Sequence, residues 1–123
     1  MKDTKTVLLI DDEAHILELG QQFLHRSGYS VITAGNCEEG MTRFLIYDVD
    51  LIILDLGLPK TDGMQCLEQL LTADRNANII IVSGNPSDGR IQEAIKIGAK
   101  AFLAKPFGLA ELQAAVSKLL DQC

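Results

Sequence analysis

The chain has 123 residues, and 47% of them are hydrophobic, which fits one globular domain with its own core and excludes a disordered chain. Its 17 acidic and 11 basic residues give a net charge of −6, which argues against nonspecific electrostatic binding to nucleic acid. No apolar run approaches the roughly 20 residues of a transmembrane helix, and Met1–Ile10 lacks the pattern of a secretory signal. We therefore predict a single cytoplasmic domain over residues 1–123, with no membrane or nucleic-acid partner.

The cysteines do not follow a ligand or disulfide pattern. There are three cysteines, an odd number, at Cys37, Cys66 and Cys123. They have no CxxC spacing and no histidines nearby. Such usage favours reduced thiols over a disulfide or a metal site. We predict three free thiols.

Five short apolar runs predict buried strands, and each is followed by a segment with helical spacing of its apolar residues. The strands are predicted at Thr6–Ile10, Tyr29–Ala34, Leu51–Asp55, Asn78–Val82 and Ala101–Ala104. The helices are predicted at Ala14–Arg26, from Asn36 to about Tyr47, from Met64 after a Pro59–Gly63 turn, from Ser87 or Asp88 to Ile97, and at Leu109–Leu120. This alternation with short connections is typical of a doubly wound α/β domain with a parallel sheet.

Polar residues stand where four of the strands stop, namely Asp11 and Asp12, Asp55, Ser83 and Lys105. Because the carboxyl ends of parallel strands lie on one edge of a sheet, these residues should converge. Clustered carboxylates repel one another unless a cation compensates, and Mg²⁺ prefers such oxygen ligands, whereas zinc would call for histidine or cysteine. A cation also attracts phosphate oxygens, which Lys105 and Ser83 would help to bind. Asp55, at the centre, is then a candidate nucleophile.

Four motifs resemble the receiver domain of response regulators in two-component signalling. They are VLLIDDE at Val7–Glu13, LDLGLPKTDG at Leu54–Gly63, IVSG at Ile81–Gly84 and KAFLAKPF at Lys100–Phe107. Their order, spacing and placement at strand ends agree with the family over essentially the whole chain. The resemblance implies a flavodoxin-like (βα)5 three-layer sandwich with five parallel strands in the order 2-1-3-4-5.

The resemblance also implies a function. Asp55 would accept a phosphoryl group from a phosphohistidine on a sensor histidine kinase or a phosphotransfer protein. Asp12 and Asp55 would bind Mg²⁺ directly, Asp11 partly through water, and the backbone carbonyl of Gly57 would complete the protein ligands. The domain would catalyse only its own phosphorylation and dephosphorylation, and is otherwise not an enzyme.

The same resemblance assigns the parts of a switch. Lys105 would pair with one phosphate oxygen and Ser83 with another, and the ring of Phe102 would change rotamer with Ser83. The Lys105–Pro106 peptide is expected to be cis. The fourth helix, fifth strand and fifth helix would form the face that controls an output domain or effector protein, and that face would be a possible dimer interface.

The sequence departs from the family pattern at Gly57, where a larger residue is usual, and Asn85 occupies a second position expected to influence reaction rates. Phe102 replaces a frequent tyrosine. His15 and His25 are interpreted as exposed helix residues. Met41, Met64, Phe23 and Phe44 are interpreted as core residues.

Two other functions remain as alternatives. One is a non-phosphorylated adaptor of the same fold, which the filled site positions disfavour. The other is a Mg²⁺-dependent aspartyl phosphatase, but that chemistry in haloacid-dehalogenase-type enzymes needs a second aspartate where this chain has Gly57. A flavodoxin is disfavoured because the carboxylates would repel the cofactor phosphate. We expect no output domain within residues 1–123, and the chain to be either a stand-alone receiver or a piece of a longer regulator or hybrid kinase.

Overall fold

The computed structural model describes residues 4–58, 63–84 and 89–120. Its five strands are β1 (Thr6–Ile10), β2 (Ser30–Ala34), β3 (Leu51–Asp55), β4 (Ile79–Ser83) and β5 (Ala101–Ala104). They form one sheet in the order β2-β1-β3-β4-β5, and every neighbouring pair is parallel. The predicted fold class and strand order are confirmed.

The helices are α1 (Ala14–Arg26), α2 (Cys37–Ile46), α3 (Gly63–Ala73), α4 (Gly89–Ile97) and α5 (Leu109–Leu120). Two predicted strands shift by one residue, since β2 begins at Ser30 and β4 runs from Ile79 to Ser83. The predicted turn residues 59–62 and the caps Ser87 and Asp88 lie outside the described residues. None of the described helices, the longest of which has 13 residues, is long and apolar enough to cross a membrane.

The aliphatic runs form strands because both faces of the sheet are covered by helices, so consecutive side chains enter two separate cores. Alternate residues such as Leu8, Ile10 and Leu54 pack with α2, α3 and α4. The residues between them, such as Leu9 and Ile53, pack with α1 and α5. Every residue of β1, β3 and β4 is therefore buried.

Local signals explain where two of the helices begin and end. The side chain of Asn36, which precedes α2, accepts a hydrogen bond from the backbone N–H of Glu39 at 2.8 Å and so caps the helix. Glu39 in turn accepts from the N–H of Gly35 rather than from that of Asn36. Gly28, which follows α1, has a φ of 99°, a backbone conformation that glycine adopts without steric cost.

The prediction of free thiols is wrong for two of the three cysteines. Cys37, at the start of α2, and Cys66, in α3, are buried and joined by a disulfide with their Cα atoms 5.7 Å apart. The sequence did not reveal this pair because its members are 29 positions apart and meet only through the packing of α2 beside α3. Cys123 lies outside the described residues.

Candidate phosphoryl-transfer and metal site

The sheet positions the site residues through its backbone ladder. Asp55 and Ser83 are the last residues of β3 and β4, whereas Asp11 and Lys105 directly follow β1 and β5. Backbone hydrogen bonds continue past the strand ends, from Asp11 N–H to Ala34 at 3.1 Å and from Lys105 N–H to Ser83 at 2.8 Å. The backbones that carry these side chains are therefore held in register at one edge, as predicted.

Three carboxylates form the centre of that edge. Oxygen atoms of Asp11, Asp12 and Asp55 all lie within 4.8 Å of one another. Asp11 and Asp55 are only 3% and 5% exposed, whereas Asp12 faces solvent. Oδ1 of Asp11 accepts the backbone N–H of Glu13 at 3.0 Å, and Oδ1 of Asp55 accepts that of Gly57 at 2.9 Å. Each buried carboxylate is thus oriented by its own loop.

Lys105 supplies the positive charge of the cluster. Its Nζ lies 3.1 Å from Oδ2 of Asp55, 3.2 Å from Oδ2 of Asp11 and 3.1 Å from Oε1 of Glu13. Glu13 ends the VLLIDDE motif, and its contact with Lys105 is not predicted from the sequence. The signal that could have found it is its position in the β1–α1 loop, which shares the sheet edge with Lys105.

The pKa values reflect a cluster in which burial and charge oppose each other. For Asp11, burial has the largest effect, and together with the charge of Asp55 it raises the pKa above the ordinary value despite the Glu13 and Lys105 hydrogen bonds. For Lys105, burial acts to lower the pKa, but the hydrogen bonds and charges of Glu13, Asp11 and Asp55 outweigh it and raise the pKa. Lys105 therefore stays protonated at neutral pH, and the site still carries excess negative charge.

The donor set fits Mg²⁺. Three carboxylates within reach of one ion, without a histidine or cysteine among them, are the oxygen ligands that Mg²⁺ prefers. Exposure of Asp12 leaves one side open to the waters that Mg²⁺ retains. Gly57 keeps the Asp55 carboxylate accessible, because a Cβ at that position would lie 3.4 Å from Oδ1 of Asp55.

The predicted switch residues lie on β4 and β5. Ser83 is 3% exposed and pairs with Ala104 of β5. Asp55 pairs with Val82 of β4, so Ser83 follows the residue beside Asp55 by one position. Phe102 is half-buried and packs against the core formed with α2, α3 and α4. The Lys105–Pro106 peptide is cis, as expected. Asn85 lies outside the described residues.

The peptide that follows Asp55 contacts two helices. A Cβ on Gly63, the first residue of α3, would lie 2.7 Å from the carbonyl carbon of Leu56, so α3 begins directly against that backbone. Arg90 of α4 donates from Nη1 to the carbonyl oxygen of Leu56 at 3.4 Å. Neither contact is predicted by the sequence pattern.

The two histidines interpreted as exposed and the four apolar residues interpreted as core lie where they were expected. His15 and His25 are exposed on α1. Met64 is buried, and the partly buried residues that pack against the two cores include Met41, Phe44 and Phe23.

Comparison with known proteins identifies the family. A model of the response regulator receiver domain matches residues 7–117, so the chain belongs to the receiver domains of two-component signalling. The alkaline phosphatase synthesis transcriptional regulatory protein PhoP of Bacillus subtilis is 35% identical over 116 residues, which are 94% of this chain and 48% of PhoP. The chemotaxis protein CheY of Thermotoga maritima is 30% identical over 116 residues, 94% of this chain and 97% of that CheY. The chain thus spans about half of one relative and nearly all of another.

Solved structures agree with the fold. A CheY-like receiver domain protein of Methanospirillum hungatei has a TM-score of 0.92 at 28% identity, covering 97% of this chain and 95% of its own. The response regulator TrrA of Thermotoga maritima, solved in complex with Mg²⁺ and BeF, has a TM-score of 0.86 at 32% identity, covering 95% and 100%. Receiver domains are signalling switches, and the acidic cluster of this chain is consistent with Mg²⁺ binding and phosphorylation.

Proposed function

We propose that this domain is a phosphorylation-activated switch in which Asp55 accepts the phosphoryl group. The observation that carries the proposal is the pairing of the buried Asp55 carboxylate with Lys105 at 3.1 Å, inside a cluster that includes Asp11 and Asp12. A buried acceptor beside a fixed cation and a set of metal ligands is the arrangement needed for attack on a phosphoryl group.

The donor is a phosphohistidine of a sensor histidine kinase or a phosphotransfer protein. A carboxylate oxygen of Asp55 attacks the phosphorus, an oxygen–phosphorus bond forms, and the nitrogen–phosphorus bond of the donor breaks with its electron pair remaining on the imidazole. Lys105 holds an oxygen of the transferring group by a charge-assisted hydrogen bond. Asp11, Asp12, Asp55 and the Gly57 carbonyl would hold Mg²⁺, which offsets negative charge on the phosphoryl group when bound.

The phosphoryl group then becomes the signal. It adds charge and acceptor oxygens at the ends of β3 and β4, where the Ser83 hydroxyl donates to it. Movement of Ser83 toward the group changes the space beside β5, and the half-buried ring of Phe102 responds. The surface of α4, β5 and α5 carries the change to an output domain or effector, and is a candidate dimer interface.

The activity of the domain is limited to its own phosphorylation and the later hydrolysis of the acyl phosphate. Residues 1–123 act as one receiver domain, either alone, as the nearly full-length match to a CheY would allow, or within a longer regulator, as the match to half of PhoP would allow. The absence of a second aspartate at Gly57 disfavours a phosphatase of the aspartyl type.

The test is intact-mass analysis after incubation with acetyl phosphate and Mg²⁺, with Asp55→Asn as the matched control. We expect the wild type to gain one labile phosphoryl group, and we expect no gain in the variant or with a chelator present. A folded wild-type protein that never gains the group would support the adaptor function instead. Gain of the group by Asp55→Asn would place the acceptor at another residue.

A further inference from the structure

Glu13 is an unusual neighbour of Lys105. It is the residue before α1, yet its side chain makes no capping hydrogen bond to the first turn of that helix. Its Oε1 instead accepts from Nζ of Lys105 at 3.1 Å, across 92 positions of the sequence. Glutamate is not among the residues that commonly cap a helix with their side chains, so the Glu13 carboxylate is available for the contact with Lys105.

The contacts of Lys105 saturate its ammonium group. An ammonium has three N–H donors, and three carboxylates, those of Asp11, Glu13 and Asp55, lie within 3.2 Å of Nζ. A phosphoryl oxygen that arrives while Asp55 is still the attacking carboxylate finds no unused donor. One of the three existing partners must therefore give way before Lys105 can bind the transferring group.

Burial decides which partner gives way. The side chains of Asp11 and Asp55 are 4% and 6% exposed, so in the metal-free site the release of Lys105 from either carboxylate would leave a buried charge without its partner. The side chain of Glu13 is 58% exposed, and water can replace the ammonium there at little cost. Glu13 is thus the exchangeable partner.

We propose that Glu13 is a positioning residue that holds Lys105 in the unphosphorylated site and competes with the incoming phosphoryl group for it. Transfer requires Lys105 to pair with the phosphoryl group. The fraction of Lys105 that stays paired with Glu13 therefore lowers the rate of transfer. This inference rests on the proposed function, since it takes Asp55 as the acceptor.

The experiment compares phosphorylation kinetics of wild type, Glu13→Gln and Glu13→Asp over a range of acetyl phosphate concentrations, with Mg²⁺ present. Glu18→Gln, at an exposed residue of α1, is the control for loss of one negative charge. Glu13→Asp retains the charge but shortens the side chain by one methylene, so it separates reach from charge. The exposure of Glu13 means that all variants should fold, which circular dichroism verifies.

We expect both Glu13 variants to raise the maximal rate about two- to fivefold, the range that corresponds to an exposed ion pair. Only Glu13→Gln should also lower the concentration of donor at half-maximal rate, because only it removes repulsion of the anionic donor. Glu18→Gln should leave the maximal rate unchanged. A higher maximal rate indicates that Glu13 positions Lys105, whereas a change only in the donor concentration at half-maximal rate indicates a general charge effect.

Unchanged or reduced maximal rates in both Glu13 variants would overturn the inference. If the wild type is phosphorylated in that experiment, the proposed function remains intact. An effect of Glu13→Gln on half-saturation alone, with Glu13→Asp equal to wild type, would show that Glu13 acts only through charge and would also overturn it. If the wild type itself is not phosphorylated, the proposed function fails and the inference fails with it.

Discussion

Replacement of Lys105 by methionine tests the electrostatic account of the site most directly. Methionine keeps the approximate length of the side chain and removes its charge. Asp11 and Asp55, at 3% and 5% exposure, would then lie together without a protein cation. The contact of Lys105 with the exposed Glu13 adds little to this loss, so the two buried carboxylates determine the cost.

The expected loss of unfolding free energy follows from that burial. Removing one partner of a buried ion pair costs about 3–5 kcal/mol, and the partial exposure of Lys105 favours the lower value. The loss cannot exceed the free energy needed to protonate one of the two aspartates. With the ordinary pKa of aspartate, that free energy is about 5 kcal/mol at about pH 7.5 and about 1.5 kcal/mol near pH 5. Since unfolding entropy is about 2.1 cal/mol/K per residue, a loss of about 3 kcal/mol lowers the Tm of this 123-residue chain by about 12 °C.

The pH dependence has a definite sign. The raised pKa of Lys105 means that its stabilising contribution is complete below its ordinary pKa and is lost only as the pH rises through the folded value. The deficit of the variant should therefore persist at neutral pH and shrink toward about pH 5, where protonation of a carboxylate relieves the repulsion. Excess Mg²⁺ should reduce the deficit at neutral pH, because it binds the same carboxylates without competition from the ammonium.

The assay is thermal unfolding in chelator and in Mg²⁺, near neutral pH and near pH 5. Lys100→Met is the matched control, because Lys100 is exposed and should tolerate the change at every pH. Equal Tm values for Lys105→Met and wild type in chelator would refute the reasoning. A deficit that is the same at both pH values and with Mg²⁺ would mean that lost packing, and not charge, is responsible.

Three further predictions concern the metal, the acceptor and the disulfide. Asp12→Asn, at an exposed position, should leave the chelator Tm unchanged but reduce the rise in Tm on Mg²⁺ titration; an unchanged rise would exclude Asp12 as a ligand. Gly57→Ala places a methyl group 3.4 Å from Oδ1 of Asp55 and should slow both phosphorylation and hydrolysis, measured by intact-mass time courses; unchanged rates would show that access does not limit them. Replacing Cys37 and Cys66 together by alanine should lower the unfolding free energy by about 3.5 kcal/mol, the chain-entropy value for a separation of 29, as measured by urea denaturation without reductant. Three free thiols in the non-reduced wild type, instead of the single thiol of Cys123, would contradict that account.

The sequence predicted the sheet and most of the site for the same reason. Runs such as Leu51–Asp55 are apolar throughout because the sheet is covered on both faces, and parallel strands bring their carboxyl ends to one edge by necessity. Asp11, Asp55 and Lys105 could therefore be placed together from their positions at strand ends alone. Ser83 was placed just after its strand, although the backbone ladder includes it.

What the sequence could not show depends on how side chains meet across elements. The Glu13–Lys105 contact joins a loop residue to one 92 positions away, and no periodicity encodes the direction of a loop side chain. The Cys37–Cys66 disulfide depends on how α2 packs beside α3, which strand order alone does not determine. Cysteine spacing rules address metal motifs and small secreted frameworks, so they gave the wrong answer here.

The backbone around Leu56 connects the position of Asp55 to two helices. Gly63 lets α3 begin directly against this peptide, with no side chain between them to absorb a displacement, and Arg90 of α4 donates to its carbonyl oxygen at 3.4 Å. A shift of the peptide after Asp55 would therefore push on α3 and pull on α4 together. A single methyl group added at position 63 would therefore displace either the start of α3 or the Leu56 backbone beside Asp55.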